Sequence, residues 1–338
     1  MTVKLISEKE QNVGLFNELA PTSDGAYAPV IKDLTFYGAE VYGRNVSHRG
    51  LIAGKATGAT LSNIIVDGLS VLEYKPYFSS DVNLASSGGL IGYTENSLIS
   101  RVQVKDADIG MNAYGGGILG IAANGTIIEK SSVINLESRA ERCFSKDKQC
   151  GFGGLIGRAG GGDEGSAQPV IISESSAQGL IDTDRSIGGL VGFIERQQAV
   201  NILNSYAQVR LAINCAEPIT GSSCKYAGGL IGRTDKSGSD DSAPVLLQNV
   251  YAAGKVKLDA ARHGRAIVGN DAQQGADRVI GEQSYFDIDV TEKNNSGDSI
   301  SIGLRTAQMQ DPLNENFATW DREIWQFSES GDDYPRLK

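Results

Sequence analysis

Two arrangements of apolar residues recur along this chain. The first is an aliphatic pair set between glycines: "RGLIAG" at Arg49, "SGGLIG" at Ser87, "GGGILG" at Gly115, "FGGLIG" at Phe152, "IGGLVG" at Ile187 and "AGGLIG" at Ala227. Weaker copies stand at "VGLF" (Val13) and "AIVG" (Ala266). Counted at the glycine before the pair, from Gly14 through Gly50, Gly89, Gly117, Gly154 and Gly189 to Gly229, the spacings are 36, 39, 28, 37, 35 and 40 residues. A constant unit with variable insertions is implied, and repeats of this length mark a stacked architecture. The second arrangement follows each glycine motif. One column reads Ile31, Leu61, Ile99, Ile128, Ile172, Ile202 and Leu247, and three and five residues later come pairs such as Leu34 and Phe36, Val102 and Val104, or Ser205 and Ala207. Apolar or small residues at every second position, flanked by polar ones such as Asn63, Arg101 and Asn204, put one face of a strand inward.

One such strand cannot bury its inner face alone, whereas stacked copies bury it as a continuous ladder. The pattern predicts a parallel β-solenoid of about eight coils, right-handed, with three short strands per coil and insertions at the corners. The glycine pentapeptide is expected to form one of the three strands, its glycines supplying corner dihedrals and allowing close passage between coils. A helical repeat is excluded: it would need apolar residues at three-and-four spacing, and glycine costs about 1 kcal/mol inside a helix.

Composition narrows the function classes. The 338 residues include 42 glycines and 8 prolines, with 40% hydrophobic and 21% charged residues, which suits a folded chain with a large core. A net charge of −10 disfavours nucleic acid and anionic membrane surfaces as partners. No apolar run is long enough to insert in a membrane, and "MTVKLISEKEQ" lacks the apolar core of a signal peptide. The chain is then either cytoplasmic or a piece of a longer exported one.

The four cysteines favour export. Cys143 and Cys150 flank one polar insertion, Cys215 and Cys224 another, each just before a glycine motif. Two local disulfides, Cys143 with Cys150 and Cys215 with Cys224, are expected, and with them an oxidising destination. A zinc site is the alternative, but the spacings are long for one and the only histidines are His48 and His263.

The segment "GGLVGFIERQQAVNILNSYAQVRL" resembles the GLUG motif, in its Gly189–Gly192 run and in Asn204 to Ala207. The tail "SYFDIDVTEKNNSGDSISIGLRTAQMQDPLNENFATWDREIWQFSESGDDYPRL" resembles the segment that closes such arrays. The resemblance implies a bacterial surface or secreted adhesin-like protein, of a kind whose β-helical relatives precede immunoglobulin A protease domains. The family's usual run of N-terminal rungs is lacking before "VGLF", which predicts a monomeric fragment of a longer chain with an open first coil. The tail is expected to cap the stack: residues 1–295 form the solenoid and 296–338 the cap. In that segment Thr306 is expected to cap a short helix beginning at Ala307, and Phe317, Trp320, Trp325 and Phe327 to cover the exposed end of the core.

Candidate chemistry is sparse. Asp106/Asp108, Asp182/Asp184 and Asp287/Asp289 are Asp-x-Asp pairs able to act in glycoside cleavage, but they fall at different offsets within their coils and share no groove. No cofactor is expected, calcium being the one ion the acidic loops could hold. Tyr206, Tyr251 and Tyr285 share one outward column, as a stabilising ladder or a sugar platform. A 75-residue offset relates Arg158 and Pro169 to Arg233 and Pro244, so the insertions after each arginine look duplicated. Binding is therefore assigned to corner insertions: Asp163, Glu164, Asp235, Asp240 and Asp241 in the acidic loops, Lys146 and Lys148 in a disulfide loop, with Tyr206 and Tyr251 as the sugar-binding option. The expected function is adhesion to a host-surface or matrix glycan or protein; a structural stalk and a carbohydrate-active β-helix enzyme are the alternatives.

Overall fold

The computed structural model describes residues 3–7, 11–43, 46–73, 85–110, 113–140, 150–162, 168–183, 186–213, 226–235, 242–258, 263–270 and 276–338. Among the described residues it is nearly all β, 59% strand and 5% helix. Three parallel sheets of 13, 8 and 7 strands run the length of the molecule. We call them the long, glycine and short faces. The third coil is representative: Ser86–Gly88 on the glycine face, Ile91–Glu95 on the short face and Leu98–Ile109 on the long face. The predicted β-solenoid with three strands per coil is thus the fold, and the eight strands of the glycine face mark eight coils. Val3–Ser7 adds a row to the long face before the first coil, and Ile302–Leu304 a row after the last.

The inner column is buried as expected from the second coil on, Leu61, Ile99, Ile128, Ile172, Ile202 and Leu247 being all 0% exposed, whereas in the first coil Ile31 is only partly buried and Leu34 is 36% exposed. The next inward residue stands three positions further on rather than two, and the structure shows why. Asp33, Asn63, Arg101, Lys130, Glu174, Asn204, Asn249 and Gln283, one per coil, all adopt left-handed φ between 45° and 58°. This bend resets the alternation, and the strand pairing passes over it, from Ser100↔Ser62 to Val102↔Ile64. The stacked bend residues bond to one another where their chemistry allows, Asn249 Nδ2 donating to Asn204 Oδ1 and Asn63 Nδ2 to Asp33 Oδ1, each at 2.9 Å.

In three successive coils the amide just after the bend bonds to a buried serine ladder rather than to a strand carbonyl. Ser131 Oγ accepts from Val102 N, Ser175 Oγ from Ser131 N and Ser205 Oγ from Ser175 N, each at 3.1 Å. Each hydroxyl donates to the carbonyl two residues back, as Ser205 Oγ does to Leu203 O at 2.7 Å. These inward positions are small because they are hydrogen-bonded.

The glycine pentapeptide is not a strand but the corner between two. Gly88 ends one strand and Ile91 begins the next, so both members of each aliphatic pair can point inward: Leu90 and Ile91 are 0% exposed, as are Leu190 and Val191. Nor do these glycines supply positive φ, for none is among the left-handed residues. They are needed for close approach alone: a Cβ on Gly189 would lie 1.9 Å from Gly229 O in the next coil.

The tail corrects a second expectation. The end of the stack is closed by residues 295 and 296, whose carbonyls accept from Ala266, Ile267 and Val268, with Ile288 and Ile300 packed against the core. The aromatic tail instead folds back along the outside of the long face. Met309, Phe317, Trp320 and Trp325 form a separate buried cluster with Tyr206, Tyr251 and Tyr285. The helix runs Thr306–Gln310, with Arg305 as its N-cap and Thr306 inside it.

Candidate functional site

The two duplicated insertions leave the coil at fixed corners. Residues 141–149 and 214–225 each join the long face to the glycine face, between Ser132–Ala140 and Gly151–Gly153 and between Val200–Ile213 and Tyr226–Gly228. Residues 163–167 and 236–241 each join the short face to the long face, in the fifth and seventh coils. Alternate coils of a parallel stack are about 10 Å apart. Asp163, Glu164, Asp240, Asp241, Lys146, Lys148, Cys143, Cys215 and Cys224 all lie outside the described residues. Cys150 is 1% exposed and disulfide-bonded, its partner being one of the other three cysteines.

The bases of the acidic insertions are described. Arg158 pairs with Glu195 and lies over the Tyr114 ring at 4.8 Å; Arg233, its counterpart, pairs with Asp235 at 3.2 Å and lies over Tyr226 at 5.4 Å. Arg278 reaches in beneath them and donates to Glu195 O (2.9 Å), Asp235 O (3.1 Å) and Gln198 O (2.6 Å). Burial pushes its pKa down to about 10, which still leaves it charged at neutral pH. Asp235, a predicted binding residue, is thus held in the base of the corner by Arg233 and Arg278. Both loops thus leave a corner whose arginine is paired with a carboxylate, a role the Arg-to-Pro spacing alone did not reveal.

On the long face one outward column reads Ile65, Gln103, Ser132, Ser176, Tyr206, Tyr251, Tyr285 through successive strand pairs. Tyr206 and Tyr251 stack at 4.9 Å with their planes 1° apart. As a sugar platform this ladder is closed: Tyr206, Tyr251 and Tyr285 are 6%, 0% and 4% exposed, and Tyr251 and Tyr285 donate to Pro335 O (2.7 Å) and Asn316 O (2.9 Å) of the tail. Burial, with Tyr206 and Tyr334 close by, raises the pKa of Tyr251 well above the usual tyrosine value. The sequence missed this because the tail's aromatics satisfy an exterior ladder as readily as an open end. Leu337 and Lys338 border a hollow of about 290 Å³ beside Tyr206, over Ser132 and Ser176.

No protein-family model and no curated protein matches the chain. Solved structures that resemble it include an IgA1 protease (TM-score 0.49, 19% identity, over 75% of this chain) and a Bacteroides ovatus protein provisionally named an immunoglobulin A1 protease (TM-score 0.44, 15% identity, over 91%). This chain spans 18% of the length of the first and 75% of the second.

The predicted acid pairs serve separate purposes. Asp287, 0% exposed, accepts from Asp289 N and Val290 N through Oδ1 and from Thr306 Oγ1 (2.7 Å) and Tyr334 OH (2.6 Å) through Oδ2, so it anchors the tail. Asp289 pairs with Arg305, whose hydrogen bond lowers its pKa. Asp106 accepts from Asn135 across coils at 2.9 Å and, with Asp108 and Glu137, borders a hollow of about 500 Å³ at Gly179, where strand register shifts by one residue. Among the described residues no three His, Cys, Asp or Glu side chains group as a metal site. His48 Nδ1 lies 2.8 Å from Ser86 Oγ, but that hydroxyl donates to Gly92 O, so the pair supplies no nucleophile. Burial, aided by Lys55 and Arg49, pushes the His48 pKa down to about 4.

Proposed function

We propose that this chain is a β-solenoid segment of an exported bacterial surface protein of the GLUG-motif kind, which holds corner insertions in register to bind a host or matrix ligand. The observation that carries this reading is the paired placement of the insertions. Two acidic loops leave one corner of alternate coils over arginine-clamped bases, and two cysteine-containing loops leave another. Loops on a rigid scaffold are where solenoids recruit binding, and two copies at a fixed spacing offer bivalent contact. The disulfide at Cys150 supports export. The role is non-catalytic: Asp287 and Asp289 are engaged in holding the tail, and the other acid pairs lie on other coils.

The test exchanges residues 163–167 and 236–241 for short Gly-Ser loops and screens both proteins against arrayed glycans and host matrix proteins. Loss of a wild-type hit with the circular dichroism unchanged is the expected result, because such exchanges cost little closure entropy. Binding through these acidic loops weakens with added salt, and with chelator where calcium bridges. Hits retained by the stably folded double exchange move the site to the cysteine loops. An array with no wild-type hit supports the stalk instead.

A further inference from the structure

One outward column of the long face changes sign along the stack. Strand pairing sets Glu40, Ser70, Asp108, Glu137, Leu180 and Arg210 beside one another on the first six coils. The pairing of Leu211 with Val256 places Lys255 next, on the seventh. Carboxylates thus lie on one side of Leu180 and cations on the other at equal steps, Glu137 and Arg210 one coil away, Asp108 and Lys255 two coils away. The acidic half is also hollowed. Asp106 and Asn135 turn left-handed on the third and fourth coils, and the fifth has one residue fewer between Ala177 and Gly179 than the fourth has between Val133 and Leu136. This step makes the depression of about 500 Å³ that Asp106, Asp108 and Glu137 line on one side and Leu180 on the other. On the cationic half Arg210 stands exposed.

We propose that this face is a self-association surface, on which two copies of the chain pack antiparallel about a two-fold axis at Leu180. An axis parallel to the strands at that level turns a second copy end over end. The fourth coil of one copy then meets the sixth of the other, and the third meets the seventh. Glu137 faces the partner's Arg210 and Asp108 faces the partner's Lys255, and the reciprocal pairs form at the same time, as an isologous contact requires. Arg210 is the side chain that enters the hollow, where its planar fork can bond two carboxylates, whereas Lys255 is also held by Glu292 of its own chain. Leu180, half-buried in one copy, is covered by its own counterpart at the axis. Charge selects this arrangement over the parallel one, which would set Asp108 against Asp108 and Arg210 against Arg210. The monomer expected from the sequence is thereby replaced by a symmetric dimer.

The surface does not use the acidic insertions, so it stands or falls independently of the function proposed above. Sedimentation velocity on the full chain tests it, run up to about 1 mM because a contact of this extent is weak. A monomer–dimer equilibrium is expected. Arg210→Glu and Glu137→Arg should each weaken it at least about thirtyfold, since each brings like charges together twice across the two-fold. Both positions are exposed on the outer side of the sheet, so the circular dichroism should not change. The deciding sample is a mixture of the two variants. One then offers carboxylates at both levels where the other offers cations, so mixed dimers form although neither variant pairs with itself. The double variant carrying both reversals should dimerise like the wild type, and it decides the matter should either single variant not fold. The Gly-Ser loop exchange must leave the dimer intact. A wild-type chain that stays monomeric throughout, a dimer indifferent to both reversals or lost with the loop exchange, or reversed variants that remain monomeric when mixed would overturn the proposal.

Discussion

His48 shows how far one buried side chain can couple this fold to its surroundings. Its ring lies 5.4 Å from that of Tyr93, beside Lys55 and Arg49, and its pKa is pushed down to about 4 by burial first and those cations second. A histidine held neutral in the folded state contributes stability that is complete above its ordinary pKa of 6.5 and is lost as pH falls toward 4. Urea unfolding at pH 7 and pH 4.5 should therefore differ by about 2 kcal/mol from this residue, and His48→Gln should remove that part of the difference. An unchanged acid slope in the variant would show that the ring is well solvated. At the same scale, the left-handed column carries asparagine at Asn63, Asn204 and Asn249, a residue that readily takes positive φ, although the sequence was read there only for its polarity. Arg101, Lys130 and Glu174 hid it, because nothing local in those side chains asks for the bend. The register of the parallel stack imposes it on them.

Among the elements, the tail depends most on a few polar anchors. Asp287 accepts from both Thr306 and Tyr334, and the Tyr334 pKa is raised by burial and then by that carboxylate. Its contribution is thus present below the ordinary tyrosine pKa of 10.0 and fades as pH rises above it. Asp289, whose pKa is lowered chiefly by its hydrogen bond to Arg305, acts oppositely: its contribution is present above 3.8 and is lost as pH falls below that. Both tryptophans of the chain, Trp320 and Trp325, lie in the tail and are buried against the tyrosine ladder. Their emission should stay blue-shifted from about pH 4 to pH 10 and move red outside that window, while the far-ultraviolet β signal persists. A red shift accompanied by loss of the β signal would mean that tail and stack come apart together. The tail's aromatic content and its helix start were legible in the sequence to within one residue. Its docking surface was not, because a cluster of large aromatics names no target of its own.

The whole molecule is a one-dimensional stack with unlike ends. At the C-terminal end the closing turn and tail cover the core and the ladder. At the other, Ile6 (65%), Tyr27 (74%), Val30 (58%) and Tyr37 (60%) are exposed, and Val3–Ser7 pairs with only Ala39–Gly43 of the first long strand. Each coil is stabilised mainly by its neighbours, so protection from hydrogen exchange should rise from that end inward. Amides of 30–37 should exchange at least about a hundredfold faster than those of Val200–Ile213, a gap of about 3 kcal/mol in local opening energy. Uniform protection along the stack would replace this gradient with all-or-none unfolding.

The repeat, the inward column from Leu61 to Leu247 and the three-strand coil follow from the sequence alone. Burial in a parallel stack is a demand each repeat makes at the same place, and repeats 28 to 40 residues apart write that demand into the chain again and again. Tertiary structure alone decided what happens between repeats. A backbone carbonyl 1.9 Å from a would-be Cβ makes Gly189 obligatory, the amide just after the bend makes Ser175 and Ser205 ladder members, and rings from three separate coils together make the surface that Trp320 and Trp325 cover. None of these surfaces exists until the coils are stacked, so no periodicity within a single repeat could announce them.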